Sequence, residues 1–434
     1  MAPRHYPDMS TTITPLTAVT PTAVTAPIGS RHHSRGFWLV AFLFAATMAF
    51  AGAPAPLYVL YAKEDGFGSL AVTVIFAAYA VGVAVSLYLA GHLSDRFGRR
   101  QVLAPAVLLN LLAALLFLTW HQLGWLLAAR FTSGLGIGIL TATATAHLTE
   151  LHRTARPDAS PHRAAVVGTA ANIGGIGLGP LVAGFLAEYA GRPLYTPYAV
   201  FAFLMLAGLL ALVLVPETVE PAIAEWRYRP QRVAVPPQAR AGFVAAAMLA
   251  FVSFAMFGFF TSLAPSFLSG TLHHTSHALA GAITFSVFGS AAATQVLTAR
   301  WAPSRLYAVG LVVLPVGLVL VVAAILAASL AMIAIAGVVV GVGAGTAFKA
   351  AVTSVIELAP PAARGETLAG LFLVSYVGMS LPVVLLGLLL QWAAIDPSIV
   401  AFGALMLVLL TLAAVLVRTS RPRRRDRVTG LMSR

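Results

Sequence analysis

The chain has 434 residues, of which 59% are hydrophobic and only 9% charged, with a formal net charge of +13 and a mean hydropathy of +0.89. A soluble domain carries roughly 25% charged residues, so this chain cannot cover a water-facing surface and reads as a polytopic membrane protein. Cysteine is absent, which excludes a disulfide framework and a thiolate metal site, and the basic excess is assigned to membrane orientation rather than to nucleic acid.

In chain order, residues 1–36 are rich in Thr, Pro and Ala and read as a disordered tail rather than a signal peptide. Twelve apolar segments follow, at 37–60, 69–90, 101–120, 123–148, 164–188, 196–215, 241–267, 276–297, 306–327, 330–355, 366–390 and 397–417. Each is near the ~20 residues that a bilayer requires. Between the sixth and seventh lies a polar stretch, 216–240, with Pro216, Glu217, Glu220, Glu225, Arg227, Arg229 and Arg232. It reads as a linker between two six-helix halves, 37–215 and 241–417. A basic tail, 418–434, closes the chain, and its run Arg421-Pro422-Arg423-Arg424-Arg425 is suited to anionic lipid.

Orientation follows from the basic residues. With both termini inside, 23 of the 27 Lys and Arg fall on the cytoplasmic side. The outer loops hold only Lys63 and Arg192, while Arg130 and Lys349 fall inside spans. One missed span would scramble this asymmetry, so the distribution predicts cytoplasmic termini on a multi-pass protein of the plasma membrane.

The two halves resemble each other. Gly134-Leu135-Gly136-Ile137-Gly138 followed by Glu150-Leu151 recurs at an offset of 207 as Gly341-Val342-Gly343-Ala344-Gly345 and Glu357-Leu358. The loop Leu297-Thr298-Ala299-Arg300-Trp301 aligns with Leu93-Ser94-Asp95-Arg96-Phe97 at an offset of 204, but lacks the acid and the equivalent of Gly98.

The charge-dense stretch Gly91-His92-Leu93-Ser94-Asp95-Arg96-Phe97-Gly98-Arg99-Arg100 lies between the second and third spans. Its glycines permit a sharp reversal at the membrane. Asp95 can pair with an Arg or cap a helix. The pattern closely resembles the signature between the second and third helices of the major facilitator superfamily, with only Ser94 departing from it. The resemblance covers about 37–417 and implies an all-α membrane fold of two pseudo-symmetric six-helix bundles around a central cavity. It further implies that Gly91, Asp95, Arg96, Gly98, Arg99 and Arg100 form a gating loop. Glu150 and Arg153, near Arg96 and Arg99, are the candidate inner charge network, with Glu357, Arg364 and Arg300 as its weaker counterpart.

The fifth span contains Gly175, Gly179, Pro180 and Gly184. Small residues at this spacing allow close helix approach, and Pro180 frees a carbonyl and permits a bend. The run is similar to the motif of the antiporter branches of the superfamily, with Ala183 replacing one glycine and Val166 standing where an upstream glycine is expected. Arg130 opens a run similar to the family's Arg-x-x-x-Gly-x-Gly element. An intramembrane Arg is costly enough to be a functional candidate by default, snorkelling being the alternative. Lys349 lies about 12 Å deep at the helical rise, where it is expected to face a cavity and attract an anionic group or cycle a proton. No Asp or Glu lies in the middle of any span, which argues against a simple carboxylate proton relay and against export of cationic drugs.

His273, His274 and His277 have helix-compatible spacing but lack a fourth ligand and read as solvated. No enzyme machinery, metal site or cofactor motif is visible. The resemblance therefore implies a non-enzymatic, monomeric secondary transporter that exports a small organic compound against protons. An uptake symporter for a sugar, organic anion or other metabolite is the alternative. A non-transporting sensor or scaffold, which would carry an added soluble domain, is the third reading.

Overall fold

The computed structural model describes residues 28–91, 93–160, 162–219, 235, 239–360 and 364–420. Among the described residues, twelve helices are long and apolar enough to cross a bilayer. They are α1 (Arg31–Asp65), α2 (Ser69–Ala90), α3 (Arg99–Thr119), α4 (Leu123–Ala155), α5 (His162–Tyr189) and α6 (Thr196–Leu214). The second set is α7 (Arg240–Ser262), α8 (His277–Leu297), α9 (Pro303–Leu326), α10 (Leu330–Leu358), α11 (Arg364–Leu389) and α12 (Ile395–Thr419). An even number of crossings puts both described ends on one side, here the terminal face; the other is the far face.

Several boundaries differ from the sequence reading, among them the end of the fourth helix, which runs on to Ala155 rather than 148. The first helix already begins at Ile28, inside the stretch read as tail, because a polar segment at a membrane surface can remain helical in water. The first span is interrupted: its main helix ends at Gly52, a short turn covers Ala55–Leu57, and a separate helix runs Tyr58–Asp65. Pro54 and Pro56 supply no backbone N–H there, which breaks the hydrogen-bond ladder. The seventh span likewise ends at Ser262 and restarts as Ala264–Gly270, with Pro265 in the opening turn. The tail before residue 28, His92, most of the linker (220–234 and 236–238), residues 361–363 and the tail from 421 lie outside the described residues.

Each half encloses its own hydrophobic core. Within a half, the middle helix of the glycine repeat packs on two neighbours. Gly134 and Gly138 lie against α2 backbone at Tyr79 and Val83, and Gly136 lies against Ala106 and Asn110 of α3. Gly341 and Gly345 lie against α8 at Val287 and Ala291, and Gly343 against Leu314 of α9. The same alternation in both halves is what a duplicated bundle requires. Without a hydrophobic drive between helices in lipid, backbone approach through small residues supplies the packing.

The halves meet through two helix pairs, α2 with α11 and α5 with α8. The close approaches made by glycine run from mid-membrane to the far face. Gly177 lies against Phe288, Gly281 against the Pro180 carbonyl, Gly184 against the His277 carbonyl, and Gly387 against Thr73. Glu188 adds a polar tie, accepting the His277 backbone N–H at 2.7 Å.

Candidate functional site

The terminal end of the first half is held by one arginine. After α2, the chain makes a short helix, Ser94–Phe97, and reverses at Gly98 with φ +98°. Gly91, by contrast, keeps ordinary helical geometry at φ −58°, so only one of the two glycines uses its conformational freedom. The reversal turns the Arg99 side chain inward, where it is 9% exposed. Its Nε and Nη2 donate to Glu150 at 3.1 and 2.7 Å. Its Nη1 donates to Ser94 Oγ at 2.7 Å and Asp95 Oδ1 at 2.6 Å. Two-point guanidinium–carboxylate pairing is among the stronger polar contacts a protein makes. Ser94, the one departure from the family signature, is thus a working partner.

A residue outside the predicted network completes it. Glu217, just beyond α6, accepts the backbone N–H of Arg99 at 2.8 Å and of Arg100 at 2.9 Å. It thereby caps the N-terminus of α3, where unsatisfied N–H groups and the helix dipole favour an anion. Partial burial works to raise the Glu217 carboxyl, but backbone donors from Arg99, Arg100, Thr218 and Val219 prevail and hold it below the usual carboxylate value. Thr218 Oγ1 donates to Glu150 at 2.6 Å, and the His147 ring donates through Nε2 to the Pro216 carbonyl at 3.1 Å. Residues 216–218 therefore strap the end of α6 across α3 and α4. A Cβ at Gly98 would meet Glu217 Oε2 at 2.8 Å. Arg96 is partly buried in the short helix, and Arg153 is exposed and is not a partner of Arg99.

The second half is built differently. Glu357, Arg364 and Arg300 are exposed, and no ion pair joins them among the described residues. Lys349 occupies the tying position instead. It reaches from α10 to the last turn of α8, with Nζ donating to the Gln295 carbonyl at 2.6 Å and lying 3.5 Å from Thr298 Oγ1. A cation at a helix C-terminus satisfies free carbonyls and the negative dipole end. The ammonium read from sequence as facing a cavity is engaged with its own bundle.

At the seam, α5 uses its predicted motif residues against two helices. Gly175 lies against the α1 backbone at Ala45, Gly179 lies against Ala49, and Gly184 faces α8. Pro180 cannot donate to the Ile176 carbonyl, and that freed carbonyl abuts Gly52 at the break in α1. Just upstream, Ala170–Gly174 form a widened turn with i→i+5 bonding. Across the seam the second half presents aromatic rings. Phe254 meets Phe348 at 4.8 Å and Tyr376 at 5.6 Å, and Phe348 meets Phe372 at 6.0 Å. Phe254 packs against the cores of both halves, and Tyr376 packs against the core of the first.

Arg130 does not open onto that seam. It is 1% exposed, enclosed by the rings of Tyr79 at 4.5 Å, Phe76 at 5.8 Å and Tyr58 at 6.0 Å. Its Nη1 donates to the Ala51 carbonyl at 2.8 Å, at the broken end of the main α1 helix. Cation–π contact with several rings offsets part of the cost of burying the charge. No carboxylate pairs with it among the described residues. Tyr79 belongs to α2, the helix that meets α11 across the seam. On the far face, His273 and His274 are exposed and the His277 N–H serves Glu188; among the described residues no three His, Asp or Glu gather as a metal site.

Two pseudo-symmetric six-helix bundles meeting along paired helices are the architecture of the parallel-repeat membrane folds. The sequence pattern of the Major Facilitator Superfamily matches residues 37–314 and 246–430, and the chain belongs to that family. It is 32% identical over 130 residues to the arabinose-proton symporter of Bacillus subtilis (28% of this chain, 27% of the relative). Over 113 residues it is 35% identical to the chloramphenicol resistance protein CraA of Acinetobacter baumannii (26% of each). Over 177 residues it is 29% identical to the 4-hydroxybenzoate transporter PcaK of Pseudomonas aeruginosa (41% of this chain, 36% of the relative). These matches thus span from about a quarter to just over a third of the relatives' lengths. A crystal structure of a POT family transporter in complex with 5-aminolevulinic acid superposes with a TM-score of 0.72 at 12% identity, covering 89% of this chain and 97% of that one. That likeness speaks to fold alone.

Proposed function

We propose that this transporter exports a small organic compound in exchange for protons, with its terminal face in the cytoplasm. The observation that carries the reading is the packing of α5. Its Gly175, Gly179, Pro180 and Gly184 all serve the contacts with α1 and α8, where an antiporter-type motif acts if it holds the far face shut. The state described here is then closed to the outside. The gating loop of Gly91, Asp95, Arg96, Gly98, Arg99 and Arg100 acts from the opposite face, through Glu150 and Glu217.

The substrate class follows from the seam. Phe254, Phe348, Phe372 and Tyr376 offer ring faces and a phenol, chemistry suited to a planar or aromatic compound that is neutral or carries one negative charge. CraA and PcaK, by their names, handle chloramphenicol resistance and 4-hydroxybenzoate. Arg130 acts on the seam through Tyr79, and Lys349 acts as a helix clamp until the second half rearranges. The test is accumulation of labelled aromatic compounds in a strain lacking efflux pumps. Expression of the chain lowers accumulation, and dissipating the proton gradient restores it; raised accumulation establishes uptake instead.

Proton-coupled uptake is the second reading, favoured by the 32% match to a proton symporter. Counterflow in right-side-out and inverted vesicles separates the two.

A further inference from the structure

Five buried polar atoms without a hydrogen-bond partner fall in one region of the first half: Tyr58 Oη, Tyr61 Oη, Tyr198 Oη, Arg130 Nε and His121 Nε2. They come from four places in the chain: the helix after the α1 break, the start of α6, α4, and the loop between α3 and α4. All four lie toward the far face. The Tyr58 ring lies 6.0 Å from the Arg130 guanidinium, and the Tyr198 ring stacks on Phe117 at 4.6 Å. The Tyr61 ring meets the His121 ring at 5.6 Å, and His121 Nδ1 lies 3.7 Å from Glu64 Oε2 at the surface.

Buried phenols ordinarily find a partner, and a buried guanidinium ordinarily finds a carboxylate. Here the three phenols are fully enclosed and Arg130 is nearly so. The groups packed on the guanidinium are rings and one backbone carbonyl, with no acid among them. Arg130 Nε can only donate, and each phenol can donate one hydrogen. The set is one buried positive charge beside three phenols without hydrogen-bond partners, whose hydroxyls can donate or accept, and no carboxylate answers the charge among the described residues.

We propose that the interior of the first half near the far face binds a small inorganic monoanion of halide size, held by Arg130 and by the hydroxyls of Tyr58, Tyr61 and Tyr198. The site lies inside one bundle, behind Tyr79, and is separate from the aromatic seam. It supplies the counter-charge that the family-type arginine lacks here, and the assignment does not depend on transport direction or substrate.

The test uses the full chain purified in detergent, with thermal unfolding followed in chloride or bromide against isethionate at matched ionic strength. The Tm rises and saturates with halide and is unchanged by isethionate. Tyr198→Phe and Tyr61→Phe keep the rings and remove one donor each. Each raises the half-saturating halide concentration about tenfold, the size expected for one hydrogen bond to a charge. Arg130→Gln abolishes the effect; should that variant not fold, the two tyrosine variants carry the test. Equal Tm in halide and isethionate means that water fills the cluster, and overturns the assignment. Midpoints unmoved by both tyrosine variants overturn it too, as does anomalous scattering that places bromide away from these rings.

Discussion

The same architectural problem is solved twice, once at the terminal end of each half, with different chemistry. In the first half a bidentate ion pair, Arg99–Glu150, is reinforced by Ser94, Asp95 and the Glu217 strap. In the second half a single ammonium, Lys349, reaches a backbone carbonyl, and Glu357 faces solvent. Duplicated helices therefore preserved backbone packing, written in Gly134/Gly136/Gly138 and Gly341/Gly343/Gly345, without preserving the polar ties. Packing is constrained by every neighbour at once. A polar tie needs only some pair of groups that can reach.

Substitutions measure how unequal the two ties are. The largest effect is expected for Glu150→Ala, which leaves a nearly buried guanidinium without its main partner. Breaking such a pair costs about 3 kcal/mol, read as a lowered Tm in detergent, whereas Glu357→Ala changes stability by less than ~0.5 kcal/mol. Equal losses for the two would erase the contrast. Next, Gly98→Ala introduces a side chain at φ +98° against the Glu217 carboxylate. About 2 kcal/mol of destabilisation is expected, with Gly91→Ala close to neutral.

Glu217→Ala removes the cap on α3 and costs about 1 kcal/mol. Its pH dependence has a definite sign. The folded carboxyl sits below its ordinary value, so its contribution is full above the usual carboxylate range. That contribution disappears as pH falls through the lower folded value. The stability gap between wild type and Glu217→Gln narrows on acidification and is constant near neutrality. A smaller effect again is expected for Lys349→Ala, about 0.5–1 kcal/mol for a cation at a helix end. Transport that is unchanged across pH in this variant assigns Lys349 to the clamp; a lost or shifted pH profile returns it to coupling.

Much of this was legible in the residues. Hydropathy located all twelve crossings, because apolar length is a property of each segment alone. The repeat was visible because close backbone contact admits only small side chains. The loop signature drew attention to Arg99, but its companion Glu217 lies 118 positions away, and a helix N-terminus carries no recognisable demand for a distant cap. The tie made by Lys349 is hidden for a similar reason. Its acceptor is a main-chain carbonyl, which has no sequence signature. Tyr58, Tyr61, Tyr198 and His121 were passed over singly, since only the fold gathers them around Arg130. Pro54 and Pro56 were in plain view, yet the hydrophobicity around them ran on and concealed the break in α1.

The freed Ile176 carbonyl and the widened turn at Ala170–Gly174 sit next to each other in α5. A helix already missing one rung and overwide in the next turn can flex there without sacrificing further hydrogen bonds. Its far portion is pinned to α8 by Gly184 and Glu188, while the portion before residue 170 is not pinned by those contacts. Under the proposed export cycle no whole bundle has to tilt as a block: one leg of the first half can swing at its knee while the opposite doorway stays latched.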